Sequence, residues 1–250
     1  GGSVRVAPYA ALVWTAAALG AWAGTRRIGR IRPWLRAVAM AGVAAALVVV
    51  SAVRVGDDRV EIHAIDVGQG DAIAIRSPAG RWLLVDAGVG GDGYDAGART
   101  VVPYLHARGV LRLDGLVLTH PDMDHIGGAP AVVRALRPRW IGDPGRSEGK
   151  PGYLAVLEAA EEVGSPWLAL GDGATVELDG VMVEFLHPSP ADSVLETNDA
   201  SVVMRVEYGA FSALLTGDAS VGVEEGLVAR WGVALEAEVL KAGHHGSTTS

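Results

Sequence analysis

An α/β domain of layered mixed sheets, preceded by a two-helix transmembrane hairpin, is the fold that this 250-residue sequence predicts. Three observations predict it. Long uncharged apolar runs are confined to residues 1–53. Beyond Arg59, short β-branched runs alternate with Gly/Asp turns, strands first and then helices and strands by turns. Finally, His120, Asp122, Asp124 and His125 crowd the end of one such strand, in THPDMDHIGG (119–128).

The hairpin comes first in the chain. Residues 8–24 (PYAALVWTAAALGAWAG) and 37–53 (AVAMAGVAAALVVVSAV) are each near the lower end of the about 17–25 apolar residues that span a bilayer. Between them RRIGRIRPWLR (26–36) carries five arginines. Arginine-rich short loops stay cytoplasmic, so residues 1–54 read as two transmembrane helices joined by a cytoplasmic loop. Everything after Arg54 then lies outside the cytoplasm, on a multi-pass protein of the cell membrane. The opening Gly1-Gly2-Ser3 without Met, and an ending with no closing element, predict a piece of a longer chain.

Residues 55–250 form the second domain. Seven of the 21 basic residues precede Val55, which leaves 14 basic against all 29 acidic ones, a formal charge of −15. Such a domain does not hold nucleic acid by general attraction to phosphates; an anionic substrate needs a local grip. Absence of cysteine excludes disulfide scaffolds, thiolate metal sites and cysteine nucleophiles.

Strands are expected at VEIHAIDV (60–67), DAIAIR (71–76), WLLVDAG (82–88), DGLVLTH (114–120), TVEL (175–178), VMVEFLH (181–187), SVVMRVEYG (201–209), FSALLTGD (211–218) and EAEVLKAGHH (236–245). Helix-like stretches fall at 96–108, 128–137, 151–163 and 219–231, and mobile loops at 146–152 and 187–199. Pro121 favours an extended His120, so that residues 120, 122 and 124 project to one side. Gly127 and Gly128 leave room for a helix to start close by, a favourable place for an anion. His63 reads as a sheet-face residue and His106 as a solvated one. Gly68 and Gly70 suit a tight turn, with Asp66, Gln69 and Asp71 near the cleft. Lys241, one of two lysines, either touches a phosphate or is solvated on its strand.

The cluster resembles the metallo-β-lactamase signature His-x-His-x-Asp-His, with Asp122 in the place of the second histidine. LLVDAG (83–88), LLTGDAS (214–220) and LKAGHHGS (240–247) match further motifs of that superfamily in the expected order. The resemblance implies an αββα metallo-β-lactamase-like sandwich. It also implies a centre of two divalent metal ions, the clamp used for phosphoester hydrolysis. His120 and Asp122 would hold the first ion, Asp124, His125 and His244 or His245 the second, and Asp218 would bridge them. Asp124 would orient water or accept its proton, and whichever of His244 and His245 is not a ligand would serve the leaving oxygen. Asp86 would orient ligands from behind, with Asn198 and Asp71 as further supporting or substrate-contacting residues. The usual third histidine is missing; Asn198 or Glu196 stands nearest, and His187 comes earlier. With Asp122 also replacing histidine, the oxygen-rich first site favours Mn²⁺ over Zn²⁺.

IDVGQGDAIAI (65–75), the HxDxDH variant, LTGD and KAGHHGS together resemble the C-terminal domain of the ComEC competence DNA-channel family. That resemblance implies DNA as substrate, with the lipid bilayer, an upstream channel part and other competence proteins as partners. Three readings follow: a nuclease serving DNA uptake, a metallohydrolase of small esters or phosphodiesters, and a non-catalytic domain that binds DNA or metal.

Overall fold

The computed structural model describes residues 41–43, 58–91, 93–145, 149–189 and 196–247. The chain divides into two compact units, Gly1–Val55 and Gly56–Ser250. In the first, residues 41–43 are helical; the rest of the predicted hairpin lies outside the described residues. Among those described, no helix is long and apolar enough to cross a membrane. Parts of both predicted loops, 146–148 and 190–195, also lie outside them.

The second unit begins with β1 (Glu61–Ala64), β2 (Ile73–Arg76), β3 (Trp82–Val85) and a small hairpin, β4 (Gly90–Gly91) and β5 (Tyr94–Asp95). A π-helical turn, Gly97–Val101, runs into α1 (Val102–His106). Then come β6 (Gly115–Val117), α2 (Met123–Ile126), α3 (Ala129–Leu136), β7 (Ile141–Asp143), α4 (Pro151–Val163) and β8 (Trp167–Ala169). The last part holds β9 (Thr175–Leu178), β10 (Val181–His187), β11 (Val203–Tyr208), β12 (Phe211–Leu215), α5 (Val221–Trp231) and β13 (Val239–Lys241).

Two sheets result. One has the order β1-β2-β3-β6-β7-β8, antiparallel up to β3 and parallel from β3 onward. The other has the order β13-β12-β11-β10-β9, antiparallel except for the β12–β13 pair. WLLV shows why they stack. Alternate side chains of a strand point to opposite faces, and both faces here are covered. Trp82 and Leu84 pack with Leu105, Val132, Val133, Leu136 and Val156 of the helices. Leu83 and Val85 instead meet Val183, Phe185, Met204, Val206 and Leu215 of the second sheet. The far face of that sheet buries Leu186, Val203 and Leu214 against Leu227 of α5. Helix, sheet, sheet, helix: the predicted αββα sandwich is the fold. Parallel strands β3, β6, β12 and β13 end at one rim, and the loops beyond them carry the His/Asp motifs. Open sheets generally bind ligands beyond carboxyl ends of this kind.

Candidate metal centre

Asp86 follows β3 in a left-handed conformation, φ 57°. It is fully buried. Its Oδ2 accepts from His125 Nδ1 at 2.8 Å and from the Thr119 hydroxyl at 2.6 Å, and its Oδ1 accepts from the Thr119 amide at 2.8 Å. Because Nδ1–H of His125 is spent on Asp86, Nε2 is the atom that faces outward, the second-sphere arrangement common behind metal-binding histidines. Thr119 and Ser201 do the same for His120, with hydroxyl oxygens 3.1 and 3.3 Å from its Nδ1. Neither Thr119 nor Ser201 was singled out by the sequence reading. Hydroxyls beside a motif leave no distinctive sequence signal.

The expected alternation of 120, 122 and 124 on one side holds only as far as Asp122. Asp122 is extended (φ −81°, ψ 148°) and then α2 begins at Met123. Asp124 and His125 therefore sit on a helical turn. Gly127 and Gly128 do more than precede α3. A Cβ on Gly127 would stand 2.1 Å from the Gly90 amide nitrogen, and one on Gly128 would stand 2.3 Å from the Ala87 carbonyl. Those glycines seat α2 directly on the 87–97 backbone.

Three donor atoms converge in front of Asp86, and a fourth, Asp124 Oδ2, stands beside one of them. His125 Nε2 is 3.3 Å from His245 Nε2 and 3.3 Å from Asp218 Oδ2. His245 Nε2 is 3.4 Å from Asp218 Oδ2 and 3.6 Å from Asp124 Oδ2. Metal–ligand bonds of 2.0–2.2 Å in a tetrahedron give ligand–ligand edges of about 3.3–3.6 Å. The triangle of His125 Nε2, His245 Nε2 and Asp218 Oδ2 therefore fits one face of the coordination sphere of a first-row divalent ion. The donor atoms that all lie within 4.8 Å of one another belong to Asp71, His125, Asp218 and His245, and Asp124 stands outside that group. Asp71 approaches through the other ring nitrogens, at 3.5 Å from His245 Nδ1 and 3.9 Å from His125 Nδ1. It thus stands behind His245 much as Asp86 stands behind His125.

The remaining predicted residues lie around this cage. His120 Nε2 is 3.7 Å from Asp122 Oδ2, and its ring centroid is 4.1 Å from that of His125. Asp122, Glu196, Asn198, Asp218 and His244 line a cleft of about 710 Å³. His244 Nε2 is 4.0 Å from Asp218 Oδ2, farther than His245. His187 is bonded to the Asp199 carbonyl at 2.6 Å and lines a neighbouring cavity. It is not brought to the cage. His63 bonds to Tyr104 and Glu61 on the first sheet, and Asp66 accepts from the Gly68 amide in a turn.

Both lysines of the chain reach the centre. Lys241 meets Asp71 Oδ2 at 2.6 Å, Asp218 Oδ1 at 3.3 Å and the Gly217 carbonyl at 2.5 Å. It is therefore neither solvated nor aimed at the cleft. Lys150, at the start of α4, meets Asp122 Oδ1 at 2.5 Å and the Thr197 hydroxyl at 3.0 Å.

Charge follows from this packing. Burial pulls His125 down, but the carboxylates of Asp86 and Asp218 prevail and push it up to about 10. Burial, joined by the charge on His125, takes His120 down to about 4. Burial pushes Asp218 and Asp86 upward, yet His125 beside them holds both below the usual carboxylate range. In the metal-free protein one imidazolium stands among carboxylates, and a cation can take over from its proton.

The fold and this cluster of metal-ligating side chains define a domain of metallo-beta-lactamase type, and the chain belongs to the metallo-beta-lactamase superfamily, matched over residues 65–250. Within it, the chain is similar to Competence protein ComA of Neisseria gonorrhoeae, 39% identical over 186 residues, 74% of this chain and 23% of that protein. It is also similar to ComE operon protein 3 of Bacillus subtilis (strain 168), 32% identical over 203 residues, 76% of this chain and 26% of that protein. The chain thus spans about a quarter of the length of these relatives. Among solved structures, a metallo-β-lactamase of Cronobacter sakazakii aligns at 15% identity and TM-score 0.48 over 70% of this chain and 71% of that one.

Proposed function

We propose that this chain is the metal-dependent phosphodiesterase part of a membrane DNA-uptake protein, with DNA outside the membrane as substrate. One observation carries the hydrolase reading: His125 Nε2, His245 Nε2 and Asp218 Oδ2 form a triangle with edges of 3.3–3.4 Å, the edge lengths of a metal polyhedron, and Asp124 Oδ2 stands 3.6 Å from His245 Nε2. The likeness to proteins named for competence supports DNA as the substrate class. The hairpin of residues 1–54 would anchor the domain of residues 55–250 in the bilayer, beside the channel part of the longer protein and other competence proteins.

Divalent ions bound there would neutralise charge on the phosphodiester and lower the pKa of a water toward neutrality. The carboxylates of Asp122, Asp124 and Asp218 favour Mn²⁺, and the imidazoles keep Zn²⁺ in play. His120 and Asp122 would hold one ion, Asp124, His125 and His245 the other, and Asp218 would bridge them. Asp86 holds His125 in the tautomer that leaves Nε2 free for this work. Asp124, partly exposed, would orient the attacking water or take its proton through the carboxylate oxygen not used on the ion. His244, on the cleft wall, would contact a phosphate oxygen or protonate the leaving oxygen.

The test is incubation of the full chain with DNA and Mn²⁺, Mg²⁺ or Zn²⁺. Cleavage is expected, and Asp124→Ala and Asp218→Ala should each abolish it. A second reading, hydrolysis of small phosphodiesters, is favoured by the carboxylates of Asp122, Glu196, Asp199 and Asp218 along the cleft, which repel a long polyanion. Turnover of bis-p-nitrophenyl phosphate without any DNA cleavage would replace the first reading by the second. Metal binding with neither activity would leave a non-catalytic binding domain.

A further inference from the structure

We propose that the centre loads its two ions unequally: the Asp124–His125–Asp218–His245 cage takes one ion tightly, and the His120–Asp122 position is a weak site for which the Lys150 ammonium competes. This rests on the metallohydrolase reading and concerns how that site fills.

The two positions differ in organisation. In the cage, the donor atoms of His125, His245 and Asp218 already stand 3.3–3.4 Å apart, and each of these three residues is backed by the fold, with Asp124 Oδ2 3.6 Å from His245 Nε2. His125 leans on Asp86 at 2.8 Å, and His245 has Asp71 behind it at 3.5 Å. The Asp218 amide is held by the Ser201 hydroxyl at 3.1 Å, and its Oδ1 lies 3.3 Å from Lys241. A pre-positioned ligand set loses little freedom when the ion arrives.

At the other position the donors are engaged elsewhere. Asp122 Oδ1 lies against Lys150 Nζ at 2.5 Å, closer than its Oδ2 lies to His120 Nε2, at 3.7 Å. Asn198 and Glu196 stand on the cleft wall where a third imidazole would be expected. Among the described residues, the donors gathered within 4.8 Å of one another are those of Asp71, His125, Asp218 and His245; His120 and Asp122 lie outside that group, as does Asp124. Asp218 offers this side little, because its Oδ2 faces His125 and His245 while its Oδ1 faces Lys241. An ion entering here must also sit beside the Lys150 ammonium. Unit charges a few ångströms apart at a protein surface interact strongly enough to shift affinity by more than tenfold.

Titration of the metal-stripped full chain with Mn²⁺, followed by calorimetry and electron paramagnetic resonance, decides the matter. The first equivalent should bind in a separate, tighter step with the spectrum of an isolated Mn²⁺. Exchange coupling should appear only in a second step, weaker by about a hundredfold or more if charge and missing ligands act together. Lys150→Met should tighten that second step by at least about tenfold and leave the first unchanged, and Lys150→Arg should keep it weak. Improved binding cannot come from misfolding. Two ions entering in one step with a coupled spectrum from the start would overturn the proposal while leaving the hydrolase reading intact. So would a Lys150→Met chain whose second step stays where it was. A chain that binds no Mn²⁺ would overturn both.

Discussion

Lys241 has three N–H donors and meets three acceptors, the Gly217 carbonyl at 2.5 Å, Asp71 Oδ2 at 2.6 Å and Asp218 Oδ1 at 3.3 Å. Its side chain is 13% exposed, and those of Asp71 and Asp218 are 14% and 4% exposed. Removal of one member of such a buried set strands the others, at a cost of about 3–5 kcal/mol. Lys241→Met should therefore lower the denaturation midpoint measured in a chelator. The loss should shrink when Mn²⁺ is present, because the ion offsets the stranded carboxylates. An equal loss with and without metal would show that Lys241 is only a packing residue. Asp86 works by orientation instead of charge cancellation. Asp86→Asn keeps the shape but weakens the acceptor behind His125, and changes to such supporting partners typically cost about 10–100-fold in metal affinity. Calorimetric titration with Mn²⁺ checks this. Unaltered affinity would mean that the His125 ring is held by Thr119 and packing alone.

Elements were legible where local chemistry punctuates them. Helix α4 spans the predicted 151–163, because Pro151 opens it and Gly164, at φ 71°, closes it. Strands β9 and β10 match their predicted bounds, since Asp179 and Gly180, at φ 52° and 84°, make the two-residue turn that hairpins prefer. Strands β7 and β8 went unpredicted. Each is three residues long and exists through parallel pairing, with β6 and β7 respectively, which no local pattern announces. Helix α2 was hidden for another reason. Its four residues follow an extended Asp122, and the seat that holds it is the 87–97 backbone, distant in sequence. The donor types of the centre were readable from the motifs, whereas the sequence leaves the choice between His244 and His245 open, and the structure brings His245 nearer to Asp218 Oδ2, at 3.4 Å against 4.0 Å. The lysines on Asp122 and Asp218 were not, because a long side chain's partner depends on the tertiary path. Gly127 tests the seat. Alanine there would place a Cβ 2.1 Å from the Gly90 nitrogen and 2.3 Å from the Met123 carbonyl, both backbone atoms that cannot step aside. Overpacking of this kind costs about 1–3 kcal/mol. Because α2 carries Asp124 and His125, Gly127→Ala should lower both the unfolding midpoint and Mn²⁺ affinity. A stable variant with native affinity would show that α2 does not depend on this contact.

At the scale of the whole domain, metal, proton and stability are linked. The metal-free fold keeps His125 protonated, with its pKa pushed up to about 10 against about 6.5 in the unfolded chain. A raised histidine contributes stability that is full below about pH 6.5 and is lost as pH climbs through about 10. Asp86 and Asp218 are depressed, so their share is present above the ordinary carboxylate range and lost only in acid. From pH 7 upward, therefore, the metal-free domain should melt at progressively lower temperature. The metal-loaded domain should behave differently. An imidazole must lose its proton before Nε2 can bind an ion, so affinity rises with pH, by about tenfold per unit while one proton is displaced. Tighter binding at fixed Mn²⁺ raises the melting temperature by mass action. The two melting curves should accordingly diverge from pH 6.5 to 9, with the gap widening at each step. His125→Gln should flatten the slope of the metal-free curve as well as remove the gap. Parallel curves across that range would mean that the proton on His125 and the metal do not compete, and the cage in front of Asp86 would lose its standing as the place where the ion binds.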